Sequence, residues 1–268
     1  MPAQTTTSHR LFVDASLGKG VKVALDRAQA NYLLNVLRLG AQDSLLVFNG
    51  REGEWRAVIV PEGRKSAHLL ALEQVRPQPQ VPKLDYVFAP LKHARLDYMA
   101  QKAVEMGAGR LRPVLTRRTQ VARVNMERMR ANMIEAAEQC GVLHVPQIEA
   151  EVTLAEALAH WPPQCVLVFC DESAPLGDPV AALSPVKSAE QVAVLIGPEG
   201  GFDETERAAI LALPNVVRLP LGPRILRADT AAVAALALVQ GVIGDTQGGQ
   251  GALAGVAGMN YQSGVVVS

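Results

Sequence analysis

Two short apolar runs, Val192-Ala193-Val194-Leu195-Ile196 and Val216-Val217-Arg218-Leu219, each lead into a loop bent by glycine and proline. The loops are Gly197-Pro198-Glu199-Gly200-Gly201-Phe202 and Leu221-Gly222-Pro223-Arg224-Ile225-Leu226-Arg227, and a helical pattern follows each. Buried strand, tight loop, helix is the repeating unit of a mostly parallel α/β sheet covered on both faces. Two such loops at the carboxyl ends of neighbouring strands form a crevice, where open α/β sheets bind ligands. The glycines let a ligand approach the backbone, and the prolines hold the loop so that little entropy is lost on binding.

The same alternation reaches back to residue 84 and stops there. Strands are predicted over 84–89, 111–115, 166–170, 192–196 and 216–219. Helices are predicted over 96–106, 126–139, 204–212 and 230–243, with Gly107 and Gly141 as left-handed caps. Before this region, Arg76-Pro77-Gln78-Pro79-Gln80-Val81-Pro82 carries three prolines and reads as a stiff linker. Residues 1–76 read as a small β-rich domain with strands over 10–13, 44–48, 54–60 and 67–75 and a helix near 26–37. Asn49-Gly50 supplies a hairpin-type turn. The expected organisation is therefore 1–76, a 77–82 linker and an α/β domain over 83–245. Residues 1–8 are polar, and the Gly-, Gln- and Ser-rich stretch 246–268 reads as a flexible tail.

The chain has 268 residues, 49% hydrophobic and only 4% aromatic, so its cores are aliphatic. The three cysteines, Cys140, Cys165 and Cys170, form no C-x-x-C pair, which argues against a disulfide framework or zinc site and for a reducing compartment. No histidine motif places Cys140 or Cys170 as a nucleophile, so both read as buried small residues. His9, His68, His93, His144 and His160 are scattered, and no metal site is expected. No signal-peptide pattern is found. The longest apolar run, residues 231–239, is too short to cross a bilayer.

A net charge of zero conceals an asymmetry: +3 over residues 1–76, +7 over 83–130 and −10 over 131–268. Such a split fits a polyanion-binding face on the first half, or mutual neutralisation within the fold or a dimer. Candidate phosphate contacts are Lys92, Arg95 and Lys102, with Arg95 and Lys102 on one helical face, and Arg117 and Arg118 after the 111–115 strand. A solvated helix face is the alternative for each. The 197–201 loop is neither a P-loop nor G-x-G-x-x-G, which leaves a nicotinamide oxidoreductase without its fingerprint. Leu195, Leu221, Ile225 and Leu226 offer an apolar slot suited to a purine. Arg227 either serves the site or pairs with Glu199 or Asp229 to hold the loop.

Taken together, Gly197–Phe202, Leu221–Ala231, Lys92-x-x-Arg95-x-Asp97-Tyr98, Gln101-Lys102-x-x-Glu105-x-Gly107, Arg118-Thr119 and Glu138-Gln139-Cys140-Gly141 resemble the RsmE family. These are SPOUT-class methyltransferases that modify N3 of a uridine in 16S ribosomal RNA. The resemblance covers roughly residues 8–245. It implies an N-terminal PUA-like β-barrel that helps bind RNA and a C-terminal α/β domain with a deep trefoil knot, contrary to the general rule that chains do not knot. It also implies a cytoplasmic homodimer that uses S-adenosylmethionine and acts on 16S rRNA in the small ribosomal subunit or its precursor. The cofactor is then expected among Leu195, Gly197, Glu199, Gly200, Gly201, Leu221, Gly222, Ile225, Leu226 and Thr230. Arg10 and Arg38 match positions at the RNA face. Two positions depart from the family pattern: Val142 stands where arginine is usual, and Asp229 replaces a glutamate one methylene longer.

Uracil N3 carries a proton and becomes a nucleophile only as that proton leaves. Arg10 or Arg227 is the expected cation for the developing imide anion, and Asp229 the candidate proton acceptor. The target base must be flipped or single-stranded. The competing readings are a SPOUT methyltransferase acting on another RNA such as tRNA, and a non-catalytic RNA-binding protein.

Overall fold

The proline-rich stretch leaves no ladder or helix to join what precedes and follows it, and the chain separates into two units between Pro79 and Gln80. The computed structural model describes residues 9–63, 66–92, 94–121 and 123–244. The expectations for residues 1–8 and for the 246–268 tail lie outside the described residues.

In the first unit, β1 (Arg10–Phe12), β2 (Lys22–Ala24), β3 (Ser44–Phe48), β4 (Glu54–Pro61) and β5 (Ala67–Arg76) form a five-stranded sheet in the order β1-β3-β4-β5-β2. β1 runs parallel to β3, and the other pairs are antiparallel. One face buries Leu11, Val23, Leu45, Val47, Ile59 and Leu69. The short β2 was not anticipated, because three residues are too few to display an alternation. The predicted 26–37 helix is two pieces. Helix α1 (Arg27–Asn31) starts with a reciprocal Asp26–Gln29 capping box and opens into a π-helical turn over Tyr32–Val36. It ends at Arg38, whose φ is +57°, with Leu39 N donating to Leu33 O at 2.9 Å. Glycine usually takes this left-handed position, so an arginine there carries a backbone cost of about 1 kcal/mol.

The expectation put Arg10 at an RNA face or beside the reacting base. Its side chain is instead only 9% exposed. Its Nε donates to Glu54 Oε1 at 2.7 Å, and its guanidinium lies 4.4 Å from the centre of the Phe48 ring. Arg76 Nε donates to the other Glu54 oxygen, also at 2.7 Å. Glu54 thus joins β1, β4 and the end of β5.

The second unit is a parallel sheet in the order β12-β10-β11-β6-β7-β8, with β9 beside β7. Its strands are β6 (Leu84–Phe88), β7 (Arg110–Leu115), β8 (Gln147–Ile148), β9 (Val152–Thr153), β10 (Cys165–Phe169), β11 (Gln191–Ile196) and β12 (Val216–Arg218). Every residue of β6 and all but the first of β11 are buried, as central strands covered on both faces require. The helices are α2 (Ala94–Glu105), α3 (Met126–Cys140), α4 (Leu154–Ala159), α5 (Pro179–Ala182), α6 (Glu204–Leu211) and α7 (Ala228–Ile243). Gly107 and Gly141 adopt φ of +74° and +72° after α2 and α3. Helix α7 buries Ala232, Ala235, Leu236 and Val239 and packs on α2 and β11. From β6 the chain builds outward through β7 and β8, then crosses to place β10 on the other side. β11 fills the gap between β10 and β6, and β12 adds outside β10. This reversal brings the carboxyl ends of β10, β11 and β12 together.

Candidate functional site: a three-loop cleft

Three loops leave those strand ends, over 170–178, 197–203 and 219–227, and enclose a cleft of about 640 Å³. Such a volume suits a small molecule of cofactor size. In the middle loop, Gly201 N donates to Pro198 O at 2.9 Å, closing a tight turn. Gly197 has no room for a side chain: a Cβ there would lie 2.6 Å from Phe202 Cε2. The Phe202 ring is itself fixed edge-on against Phe169 at 5.4 Å. Asp203 then caps α6 through a reciprocal box with Glu206.

The middle loop is braced by the two arginines that follow β7. Arg118 Nη1 donates to Gly200 O at 2.6 Å, and Arg117 Nη1 to Asp203 Oδ2 at 2.8 Å. From α2, Arg95 Nη1 donates to Glu199, and its Nε lies 3.9 Å from Asp229 Oδ2 at the start of α7. The cleft floor is tied by Asp171, whose side chain is 1% exposed. It accepts from Arg207 Nη2 at 2.9 Å and Arg218 Nε at 2.8 Å, joining β10, α6 and β12. Burial alone would raise this carboxyl; hydrogen bonds from Arg207, Ser173 N and Arg218 outweigh it and hold it below the usual carboxylate range. Burial pushes the Cys170 and Cys165 thiols up to about 12, so neither is a thiolate at neutral pH. Cys140 is exposed rather than buried, as the last residue of α3.

Of the expected cofactor residues, Gly197, Glu199, Gly201, Leu221, Gly222, Ile225 and Leu226 line the cleft. Leu195, Gly200 and Thr230 do not. Leu195 is 1% exposed in the core beneath the loop, Gly200 turns outward to Arg118, and Thr230 is exposed on α7. The 170–178 wall was missed, with Cys170, Asp171, Glu172 and Leu176 in the lining. Its signal was present: Asp171-Glu172-Ser173-Ala174-Pro175-Leu176-Gly177 follows a strand just as the other two loops do.

The expected phosphate contacts divide sharply. Arg95, Arg117 and Arg118 hold the middle loop, and Lys102 pairs with Glu105 at 2.7 Å. Among the described residues, Lys92, Arg38, Arg224 and Arg227 make no ion pair. Arg110 and Arg112 both reach Glu149. Arg95, Arg110, Arg112 and Arg117 thus meet carboxylates of the acidic segment within this unit, in keeping with the second reading of the charge split.

A family model described as an RNA methyltransferase domain matches residues 77–240, and one described as an RNA methyltransferase PUA domain matches residues 25–72. Ribosomal RNA small subunit methyltransferase E of Rickettsia conorii is 30% identical over 233 residues, 87% of this chain and 95% of its own length. The chain belongs to the small-subunit ribosomal RNA methyltransferase E family. The Synechocystis member is 31% identical over 227 residues, 82% of this chain and 73% of that one. Among solved structures, the Neisseria gonorrhoeae member bound to S-adenosyl methionine superposes with a TM-score of 0.77 at 26% identity, covering 87% of this chain and 97% of that one. Membership gives the α/β unit and the PUA-like unit their assignments. No described helix is long and apolar enough to cross a membrane.

Proposed function

We propose that this chain methylates N3 of a uridine in 16S rRNA of the small ribosomal subunit, using S-adenosylmethionine bound in the three-loop cleft. The cleft at the switch point of the sheet carries this reading. Its residues fit the cofactor: Ile196, Leu219, Leu221 and Leu226 offer apolar surface to a purine, while Glu172 offers a carboxylate to an ammonium or a sulfonium, the Glu199 carboxylate being engaged by Arg95. When bound, S-adenosylmethionine supplies an electrophilic methyl, and its sulfur keeps the electron pair of the broken S–CH3 bond as a neutral thioether.

The protein's part is to hold N3 in line and to take its proton. Asp229 is our candidate acceptor. Its carboxylate, 18% exposed, is steadied by Thr230 N at 2.8 Å. Arg227, at the positive end of α7 and without a carboxylate partner among the described residues, is our candidate cation for the anionic imide oxygens. Arg10 is given no part, since its guanidinium is engaged with Glu54. Asp229→Asn should lower the single-turnover rate by roughly 10²- to 10⁴-fold. A full rate across pH in that variant would remove Asp229 from proton transfer.

We assign RNA phosphate contacts to Lys92 and Arg38, the two expected cations that, among the described residues, are engaged neither by a carboxylate nor, as Arg118 is, by a loop carbonyl. The double alanine variant should flatten the salt dependence of RNA affinity by roughly 0.7–0.9 per lost phosphate contact. Arg117→Ala, which loosens Asp203, should leave that slope unchanged. A trefoil knot is also part of this reading. It is supported by helix α7, which follows the edge strand β12 and packs on α2 and β11. A homodimer working in the cytoplasm completes it, supported by the family resemblance and by the ribosomal substrate. Calorimetry with S-adenosylmethionine and with NADH, followed by mapping of methylated uridines on treated small subunits, tests the assignment. Binding of NADH alone, or methylation confined to tRNA, would overturn it.

A further inference from the structure

Arg95, expected as a phosphate contact, sits in the cleft. Helix α2 buries Met99, Ala100, Ala103 and Val104, so Arg95 is presented from a fixed support. Its guanidinium lines the cleft rather than an outer face. One nitrogen donates to Glu199 of the middle loop, and another lies 3.9 Å from Asp229 on α7. The next carboxylate along α2, Asp97, is engaged by Arg128 at 2.5 Å and by Asn132 at 2.8 Å. Glu199 on the middle loop and Asp229 in the first turn of α7 are like charges, and a planar fork between them replaces repulsion with two attractions.

We propose that Arg95 is a positioning residue of the methyl-transfer site, coupling Glu199 to Asp229 and so holding the 197–203 and 219–227 loops at the spacing that receives the cofactor. This rests on the methyltransferase reading above. A phosphate contact and a loop coupler differ in what they disturb. Loss of the first weakens RNA binding in a salt-dependent way. Loss of the second weakens the cofactor and leaves RNA alone.

The test uses the full chain with Arg95→Lys, Arg95→Ala, Glu199→Gln and the Arg95→Ala/Glu199→Gln pair. Calorimetry gives S-adenosylmethionine affinity, and RNA affinity is taken at several salt concentrations. Both Arg95 variants should bind the cofactor roughly tenfold more weakly, and the double variant should bind no worse than Arg95→Ala alone. The RNA salt slope should not move. Arg95→Lys keeps charge and bulk and so carries the test should Arg95→Ala unfold. Unchanged cofactor affinity with a flatter salt slope, or additive losses in the double variant, would overturn the coupling. A wild-type chain that binds RNA but no S-adenosylmethionine would overturn the methyltransferase reading instead.

Discussion

Gly197→Val is expected to lower methyl transfer by roughly a hundredfold, through loss of cofactor binding, with RNA affinity unchanged. The reason is local and steric. A Cβ at this position falls 2.6 Å from the Phe202 ring, and Phe202 cannot retreat because it packs edge-on against Phe169. The backbone of the loop must move instead, and displacements of this kind in packed regions cost about 1–3 kcal/mol. Gly200→Val makes an instructive comparison. Its Cβ would meet only the Arg118 side chain, at 3.4 Å or more, which is ordinary van der Waals contact. A smaller loss is expected there, although the two glycines look equivalent in the sequence. Calorimetry and single-turnover methylation measure both. Wild-type cofactor affinity in Gly197→Val would show that this loop does not form the cofactor cleft.

Glu54→Ala should destabilise the first unit by about 3–5 kcal/mol, the usual consequence of removing one partner from a buried ion pair. Glu54 is 2% exposed, and its loss removes the carboxylate that Arg10 and Arg76 share. The effect depends on pH. Burial raises the Glu54 carboxyl, but hydrogen bonds and charge from Arg76 and Arg10 prevail, and the net shift is downward from 4.5. Its stabilisation is therefore complete above the unfolded carboxylate range and fades as pH falls through the lower folded value. The two tryptophans fall one in each unit, so in a Trp161→Phe background Trp55 reports on the first alone. Urea unfolding followed by Trp55 fluorescence should show the loss at pH 7 and a shallower acid dependence in the variant. Equal stability of variant and wild type at neutral pH would mean that Arg10 and Arg76 find water when Glu54 is gone.

The regular elements were largely legible because their signals are local. Continuous apolar runs marked β6, β10 and β11, and Gly107 and Gly141 stopped α2 and α3. Even the six-residue α4 carried a readable sign, the Thr153–Glu156 capping box, though too few apolar positions followed to show a period. Short pieces such as β2 and β8 lacked enough residues for any pattern.

The site was legible in part for the same reason. Its middle and third loops are contiguous strings of glycine, proline and charge, so the sequence by itself determined that a cleft is built there and which segments form most of it. What each charged residue does was decided only by the tertiary structure. Arg10 and Arg95 both read as exposed cations awaiting phosphate, yet one is locked to Glu54 across a sheet and the other to Glu199 across more than a hundred residues. Charge pairing depends on distances of a few ångströms in space, and those are set by the strand order, above all by β11 entering between β10 and β6. Nothing in the spacing of residues along the chain encodes that insertion directly, so the partners of its cations appear only once the sheet is assembled.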